Sequence, residues 1–340
     1  MIVPAYNAAK HLQNCLDSLL SQTVEGLEII VIDDGSSDTT PAILRDYVAR
    51  SPHIRVFRQI NSGVSIARNN GLAKARGEFV AFMDADDRAE PTLYADMLSR
   101  ARQDHLDIVL CNAWIHCSDG GLKPLFTAIS GNLLQCVTDG QQWIVRSVAT
   151  QQMRHYIWCH LYRRDFLTQH RLQFAPDITH QDIVWTNAAM LAARRVALVD
   201  RPLYHYIKRD GSLSKPATAE GRLTAARHYM GVVSLVAALA RAATPGTAIL
   251  LALESQVIDE GIVVFQLARH LPFAMQQSLF AEMQANAHFE ALTRHASTLR
   301  QKRRLWKNAM RYNLFCALKR VKQIFGINIF PLHPDTVRKN

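Results

Sequence analysis

Phe79-Val80-Ala81-Phe82-Met83-Asp84-Ala85-Asp86-Asp87 is the stretch whose reading decides the fold. An apolar run rich in aromatic and branched side chains reads as a buried strand. It stops at three carboxylates, so the acids sit at the strand's carboxyl end, where open α/β sheets place their ligands. Crowding anions there costs free energy unless a cation shares the site. Asp84 and Asp86 lie two apart, and a sharp turn would let both reach one divalent ion. Taken alone, the stretch reads equally as a solvated acidic turn. It is not an EF-hand loop, which wants Gly at its sixth and Glu at its twelfth position; counted from Asp84 these are Ala89 and Ala95.

Working outward, Ile2-Val3-Pro4 reads as the end of a strand, with Asn7 placed to cap a helix that turns Leu12, Cys15, Leu16, Leu19 and Leu20 to one face. Leu27–Ile32 and Ile54–Phe57 read as strands. Between them Pro41 opens a helix with Ile43, Leu44, Tyr47 and Val48 inward. Helices are expected over Ser62–Arg76 and Pro91–Gln103, and a further strand over Asp107–Cys111. This alternation implies an α/β fold with a mostly parallel sheet flanked by helices. Residues 112 to 215 are more mixed and rich in aromatics, and are expected to complete the sheet and wall a cleft. From Thr218 onward the pattern is helical. A boundary is expected near Lys215-Pro216, dividing a domain 1–215 (halves 1–110 and 111–215) from a helical C-terminal region 216–340.

With 340 residues, 49% of them hydrophobic, the chain is globular rather than disordered. Its six cysteines are scattered and form no CxxC, which suits reduced thiols in a cytosolic protein rather than a disulfide frame or zinc site. Met1 opens directly into Ile2-Val3-Pro4 with no basic leader, so no secretory signal is expected. The longest apolar run, Met230 to Ala240, is too short to span a bilayer. The net charge of +10 is local. From Arg294 to Lys322 there are ten Lys and Arg and no acid, while the 29 basic residues elsewhere balance the 29 acidic ones. That argues against a general nucleic-acid surface and for one localised anionic partner. Within 294–325, Leu299, Trp306, Met310, Leu314, Leu318, Val321 and Phe325 share one side at helical spacing, and Arg300, Arg304, Lys307, Arg311 and Lys322 lie toward the other. Arg303 breaks the pattern by falling on the apolar side. The segment reads as a basic amphipathic helix for an anionic membrane surface, or as a helix packed on the protein with a solvated basic face.

A dinucleotide-binding turn would want GxGxxG after the first strand. Here the turn is Pro4-Ala5-Tyr6-Asn7, which also lacks the glycines and lysine of a phosphate loop or a nucleotidyltransferase. The second turn, Asp33-Asp34-Gly35-Ser36, offers a carboxylate able to accept a hydrogen bond from a base N–H; it reads equally as an ordinary turn with Asp38 as helix cap.

As an ordered set, Ile2 to Asn7, Ile30 to Asp38, Asn61 to Asn69 and Asp84-Ala85-Asp86-Asp87 resemble the family 2 inverting glycosyltransferases, which have the GT-A fold and use nucleotide-sugar donors. A second block extends the likeness. Trp158-Cys159-His160-Leu161-Tyr162-Arg163-Arg164 and His180-Gln181-Asp182-Ile183-Val184-Trp185 are similar to segments of bacterial envelope glycosyltransferases, as is Tyr204-His205-Tyr206 through Ser214. This block resembles the subgroup that decorates the lipopolysaccharide core, some members of which transfer uronic acids. Gln181 stands where that pattern has Glu.

The resemblance implies that Pro4, Tyr6 and Asp34 hold the base, normally uracil, and that Gly63 and Arg68 lie along the ribose and diphosphate. It implies Asp84 near the ribose and metal, Asp86 as ligand of a divalent Mg2+ or Mn2+, and Asp182 as catalytic base. Read from sequence spacing alone, Asp182 would be a helix cap. The implied chemistry is in-line displacement of a nucleoside diphosphate by an acceptor hydroxyl, with the metal in the role of an acid and one carboxylate as base. A UDP-sugar donor, a lipid-linked glycan acceptor and a peripheral location on the inner face of the cytoplasmic membrane follow. The competing expectation is a catalytically silent nucleotide-sugar-binding module of the same fold.

Overall fold

The computed structural model describes residues 1–117, 120–126, 136–207, 216–286 and Leu292. The basic segment 294–325 and the expected boundary at Lys215 lie outside the described residues.

Three strands, β1 (Ile2–Ala5), β2 (Ile29–Asp33) and β3 (Ile54–Arg58), pair in parallel in the order β1-β2-β3. The helices between them are α1 (Leu12–Leu20), α2 (Thr40–Arg50) and α3 (Val64–Lys74). Strand β2 is buried along its whole length, as its unbroken apolar run requires of a strand covered on both faces. Strand β4 (Phe79–Ala81) joins this sheet through a parallel bridge between Ile2 and Phe82, with Met83 N–H donating to Ile2 O at 3.0 Å. Helix α3 can sit flat on β1 because of Gly71, where a Cβ would come within 2.4 Å of Ile2 Cγ2.

The second half departs from the expected parallel pattern. Strand β5 (Arg88–Ala89) follows the acids, then α4 (Leu93–Gln103), β6 (Ile108–His116), β7 (Leu122–Pro124), α5 (Gly140–Ala149), β8 (His160–Arg163), α6 (Arg164–Gln169), α7 (Gln181–Ala192) and β9 (Val196–Ile207). The sheet order is β4-β8-β6-β9-β5, with β7 on β6. Strand β8 lies antiparallel between β4 and β6, β5 is antiparallel to β9, and β6 and β9 are parallel with a register shift around Asn112. The sheet is therefore parallel in its first part and mixed in its second.

Helices α8 (Ala219–Arg241), α9 (Ala248–Ala268) and α10 (Phe273–Ala285) follow. Helix α8 has 23 residues and is long and apolar enough to cross a membrane, although the uninterrupted apolar run within it is shorter. Here Val233, Val236 and Ala237 on α8 pack with Val257, Ile262 and Phe265 on α9 and with Ile183 on α7. The five described cysteines, Cys15, Cys111, Cys117, Cys136 and Cys159, are free thiols.

An aromatic cluster ties the two halves together. Phe174 stacks on Trp185 at 4.0 Å, and Phe82 meets Trp185, Phe174 and Tyr162 edge-on. Trp185 Nε1 donates to Tyr162 Oη at 3.0 Å, so the one polar atom of its buried indole is satisfied. Trp185 lies one turn beyond Asp182 on α7, and its packing fixes where that carboxylate points. The other end of α7 abuts α5 at Gly140, where a Cβ would meet Met190 O at 1.9 Å. We expect Gly140→Ala to lower stability by about 1–3 kcal/mol, the usual range for overpacking, because backbone cannot give way as a side-chain tip can. A urea unfolding midpoint equal to that of the unaltered protein would contradict this.

Candidate active site

The site forms where β1, β2 and β4 end. Asn7 does not cap α1, whose N-cap is His11. It takes a left-handed backbone (φ 48°), and its Oδ1 accepts from Ser37 N–H at 2.8 Å and Asp38 N–H at 3.3 Å. Asn7 N–H donates to Ser36 Oγ at 3.0 Å, so the first and second turns are laced into one wall. Tyr6, beside it, is 52% exposed and free to present its ring to a ligand. Pro4 is half-buried on β1.

Asp34 is buried, and its carboxylate organises the loop before α3. Oδ1 accepts from Ser62 N–H and Gln59 Nε2, both at 2.8 Å, and Oδ2 from Gly63 N–H at 2.9 Å. A carboxylate has about four lone-pair positions, so three bonds leave one for a base N–H. Gly63 has φ 86°, a left-handed conformation that favours glycine, and a Cβ there would meet nothing within 4 Å.

Arg68 projects from α3 and is buried; its guanidinium donates to Asp84 Oδ1 at 2.9 Å and lies 5.6 Å from the Phe174 ring centroid. The Asp84 side chain is 34% exposed. Asp87, which the sequence reading did not place in the site, is buried and held by Tyr204 Oη–H at 2.8 Å and Ile207 N–H at 2.9 Å. Burial, then the Asp84 and Asp86 charges, push its carboxyl well above the usual range. Tyr204 belongs to a ladder of rings, with Trp158 stacked on Tyr204 at 4.3 Å and on Tyr156 at 5.0 Å, and Tyr206 beside both Tyr156 and Trp158. The alternation in Tyr204-His205-Tyr206 could have signalled a strand with one aromatic face.

Asp182 sits in the first turn of α7, its carboxylate meeting the backbone N–H groups of Asp182 and Ile183. Burial pushes its carboxyl up to about 6; the Arg68 charge opposes the rise and the Asp84 charge adds to it. The expected base and the expected donor-binding acids thus share one electrostatic environment, with Arg68 as their common counter-charge. His160 is a core residue, 1% exposed and held neutral by burial.

The residues present fit a divalent cation. Asp84 and half-buried Asp86 supply hard oxygen donors beside the buried Asp87. Among the described residues no three His, Cys, Asp or Glu converge on one point. An ion such as Mg2+ takes one or two carboxylates and completes its shell with substrate phosphates and water.

The sequence comparisons agree with this geometry. The glycosyl transferase family 2 profile matches residues 1–190. The chain is 33% identical over 297 residues to YibD, an uncharacterized glycosyltransferase of Escherichia coli K12, covering 86% of each. It is 34% identical over 210 residues to EpsH of Bacillus subtilis, a putative glycosyltransferase, covering 61% of this chain and 59% of that one. In fold it is similar to Staphylococcus aureus TarS residues 1–349, solved with UDP-GlcNAc, with a TM-score of 0.54 at 20% identity over 88% of this chain and 91% of that one. A mannosyltransferase of Pyrobaculum calidifontis, solved with GDP-Man and Mn2+, gives 0.50 at 19% identity over 96% of this chain and 86% of that one. The fold and site therefore define a GT-A glycosyltransferase. The chain belongs to glycosyl transferase family 2 and uses a nucleotide sugar.

A base works only when ionised, so with Asp182 as the expected base kcat/KM should rise with pH through about 6, where its raised carboxyl loses its proton. Arg68 favours that ionisation, so Arg68→Met should move the acid limb to higher pH, whatever it does to the absolute rate. An acid limb at the same pH in both proteins would contradict the assignment.

Proposed function

We propose that the protein transfers a hexose, N-acetylhexosamine or uronic acid from a UDP-sugar to a hydroxyl of a lipid-linked glycan, with inversion at the anomeric carbon. The acceptor best matched by the second sequence block is the lipopolysaccharide core. The observation that supports the reading is that Asp182 feels the charges of both Arg68 and Asp84, which are themselves paired at 2.9 Å. Direct displacement needs one carboxylate on the acceptor side and charge stabilisation on the leaving-group side, roles for which Asp182 on α7 and the acids after β4 are the candidates. The UDP-GlcNAc bound by TarS supports a uridine nucleotide.

In this reading Tyr6 and Asp34 bind the base, with Pro4 beneath, and Gly63 and Arg68 face the ribose and diphosphate. Arg68 also orients Asp84. A divalent ion at Asp86 and Asp84 would act as Lewis acid for the departing diphosphate. Asp182 takes the proton of the acceptor hydroxyl at its carboxylate as the new bond forms, which a single inverting step requires. We further propose that the basic segment 294–325 holds the enzyme on the inner face of the cytoplasmic membrane, each basic residue near anionic lipid adding about 1 kcal/mol.

Asp182→Asn keeps shape and hydrogen bonding but cannot accept a proton, so turnover should fall on the order of 10²–10⁴-fold with donor affinity unchanged. UDP release from a UDP-sugar panel, alongside UDP titration calorimetry, reads both; near-normal turnover, or loss of donor binding alone, would remove Asp182 from the role. Asp86→Ala should abolish transfer and weaken Mn2+ binding in the presence of UDP while the circular dichroism spectrum is kept. A truncation after Ala296 should sediment less with anionic vesicles than the full chain, and equal sedimentation would exclude the membrane role.

A further inference from the structure

The carboxylate of Asp182 is aimed by the backbone that enters α7, and that backbone is irregular. Residues 175–180 belong to no strand or helix. Asp177 (φ 59°) and His180 (φ 63°) both take a left-handed backbone without being glycine. Such a conformation is costly for a residue with a Cβ and persists where neighbouring contacts dictate it. His180 is also the N-cap of α7, and its carbonyl accepts from Ile183 N–H at 3.1 Å. The conformation of His180 therefore sets where the first turn of α7 begins, and with it the direction of Asp182.

The contacts that dictate it come from α8. A Cβ at Gly231 would stand 3.2 Å from Ile178 Cδ1, so Ile178 lies close on the helix backbone. Thr179 N–H donates to His228 Nδ1 at 3.1 Å, and the Thr179 hydroxyl lies 2.8 Å from the same nitrogen. The ring of His180 stacks on that of Tyr229 at 4.4 Å, with 28° between the planes. Ile183 then joins Ala226, Met230 and Val233 in the core shared with α8. Ile178, Thr179 and His180 thus each meet a residue of one turn of α8.

The state of His228 is fixed by its partner. A backbone N–H can only donate, so Nδ1 carries a lone pair and the neutral ring has its proton on Nε2. The threonine hydroxyl donates to the same lone pair. Burial lowers the His228 pKa, against the Asp177 charge, which favours this neutral form. Apolar packing alone could hold the loop near α8. A directional hydrogen bond and a ring stack, at the two residues just before Gln181-Asp182, fix its orientation as well. Orientation is what a base needs, because its carboxylate must come within hydrogen-bond reach of the proton it takes.

We propose that His228 and Tyr229 are positioning residues for Asp182: they latch Thr179 and His180 to α8 and so aim the carboxylate at the start of α7. The proposal rests on Asp182 as the base and deepens that reading, because it gives the C-terminal helices a task in the transfer step. Both residues act through the backbone of residues 179–182, and neither takes part in the proton transfer.

The test uses the full chain with Mn2+, lipopolysaccharide core oligosaccharide as acceptor, and UDP-glucose, UDP-galactose, UDP-N-acetylglucosamine and UDP-glucuronic acid as donors. His228→Leu cannot accept from Thr179 and should lower kcat by about ten- to a hundredfold, the scale of a small misplacement of a catalytic group. Donor KM, and the affinity and stoichiometry of UDP binding by calorimetry, should stay unchanged. Tyr229→Leu should act in the same direction. His228→Asn places an amide oxygen near the position of Nδ1 and should recover most of the loss. On an Asp182→Asn background His228→Leu should add no further loss, because the group it acts through is already disabled. An unchanged kcat in His228→Leu, or an equal loss in His228→Asn, overturns the latch. So does a fall in kcat matched by a fall in UDP-binding stoichiometry, or an added loss on the Asp182→Asn background, since either marks a purely structural role. Near-normal turnover by Asp182→Asn, or none by the unaltered protein, sinks the underlying reading and the latch with it. An inactive Asp182→Asn beside a fully active His228→Leu sinks the latch alone.

Discussion

The ion pair between Arg68 and Asp84 is the interaction on which the site depends. Four carboxylates, Asp84, Asp86, Asp87 and Asp182, gather around the end of one sheet; the charges of Asp84 and Asp86 raise the cost of ionising Asp87, and that of Asp84 the cost of ionising Asp182. A buried guanidinium is expensive unless paired, and Arg68 is paired on one side while its Nε has no partner among the described residues. Arg68 is a permanent charge in a place where the acids are the variable ones, so it sets how many of them can be anionic together. Its position depends on α3 lying close to β1, which the missing side chain at Gly71 permits.

The two halves of the sheet do different work, and the join between them is apolar. Phe82 leaves β4 just before the acids, and Trp185 lies one turn after Asp182. Their edge-on contact, with Phe174 stacked on Trp185, converts a distance between two functional groups into a packing constraint. Close-packed aromatic cores deform little, so the separation of Asp182 from the acids after β4 is set by ring geometry rather than by flexible loops.

The parts of this arrangement legible in the sequence were those with local signals. The apolar runs marked β2 and β4, and the acids marked where they end. The antiparallel entry of β8 between β4 and β6 was not legible, because an apolar run gives no direction and the pairing is set by partners more than 50 residues away. Asn7 was misread as a cap for the same reason. Its short polar side chain suits a helix start, but the Ser36–Asp38 turn competes for it, and tertiary bonds won. Asp87 was passed over because burial, not sequence position, distinguishes it from Asp86.

Least legible was the contribution of the helices after residue 218. Tyr229 on α8 stacks on His180, just before Asp182, at 4.4 Å. Glu260 on α9 has its carboxyl pushed up to about 8 by burial, then by the Asp259 and Asp182 charges. Nothing in the helical periodicity of those segments distinguishes Tyr229 or Glu260 from ordinary half-buried positions. Their effect on the base is nonetheless definite in sign. A carboxyl that keeps its proton up to about pH 8 adds no negative charge beside Asp182 at neutral pH. Asp182 can then lose its proton near 6 rather than higher. Above that pH its charge helps Glu260 hold its own proton to about 8, so the two acids act as a coupled pair with separated titrations. The C-terminal helices are in this way part of the electrostatic surroundings of Asp182, joined to it through Ile183 in their shared core.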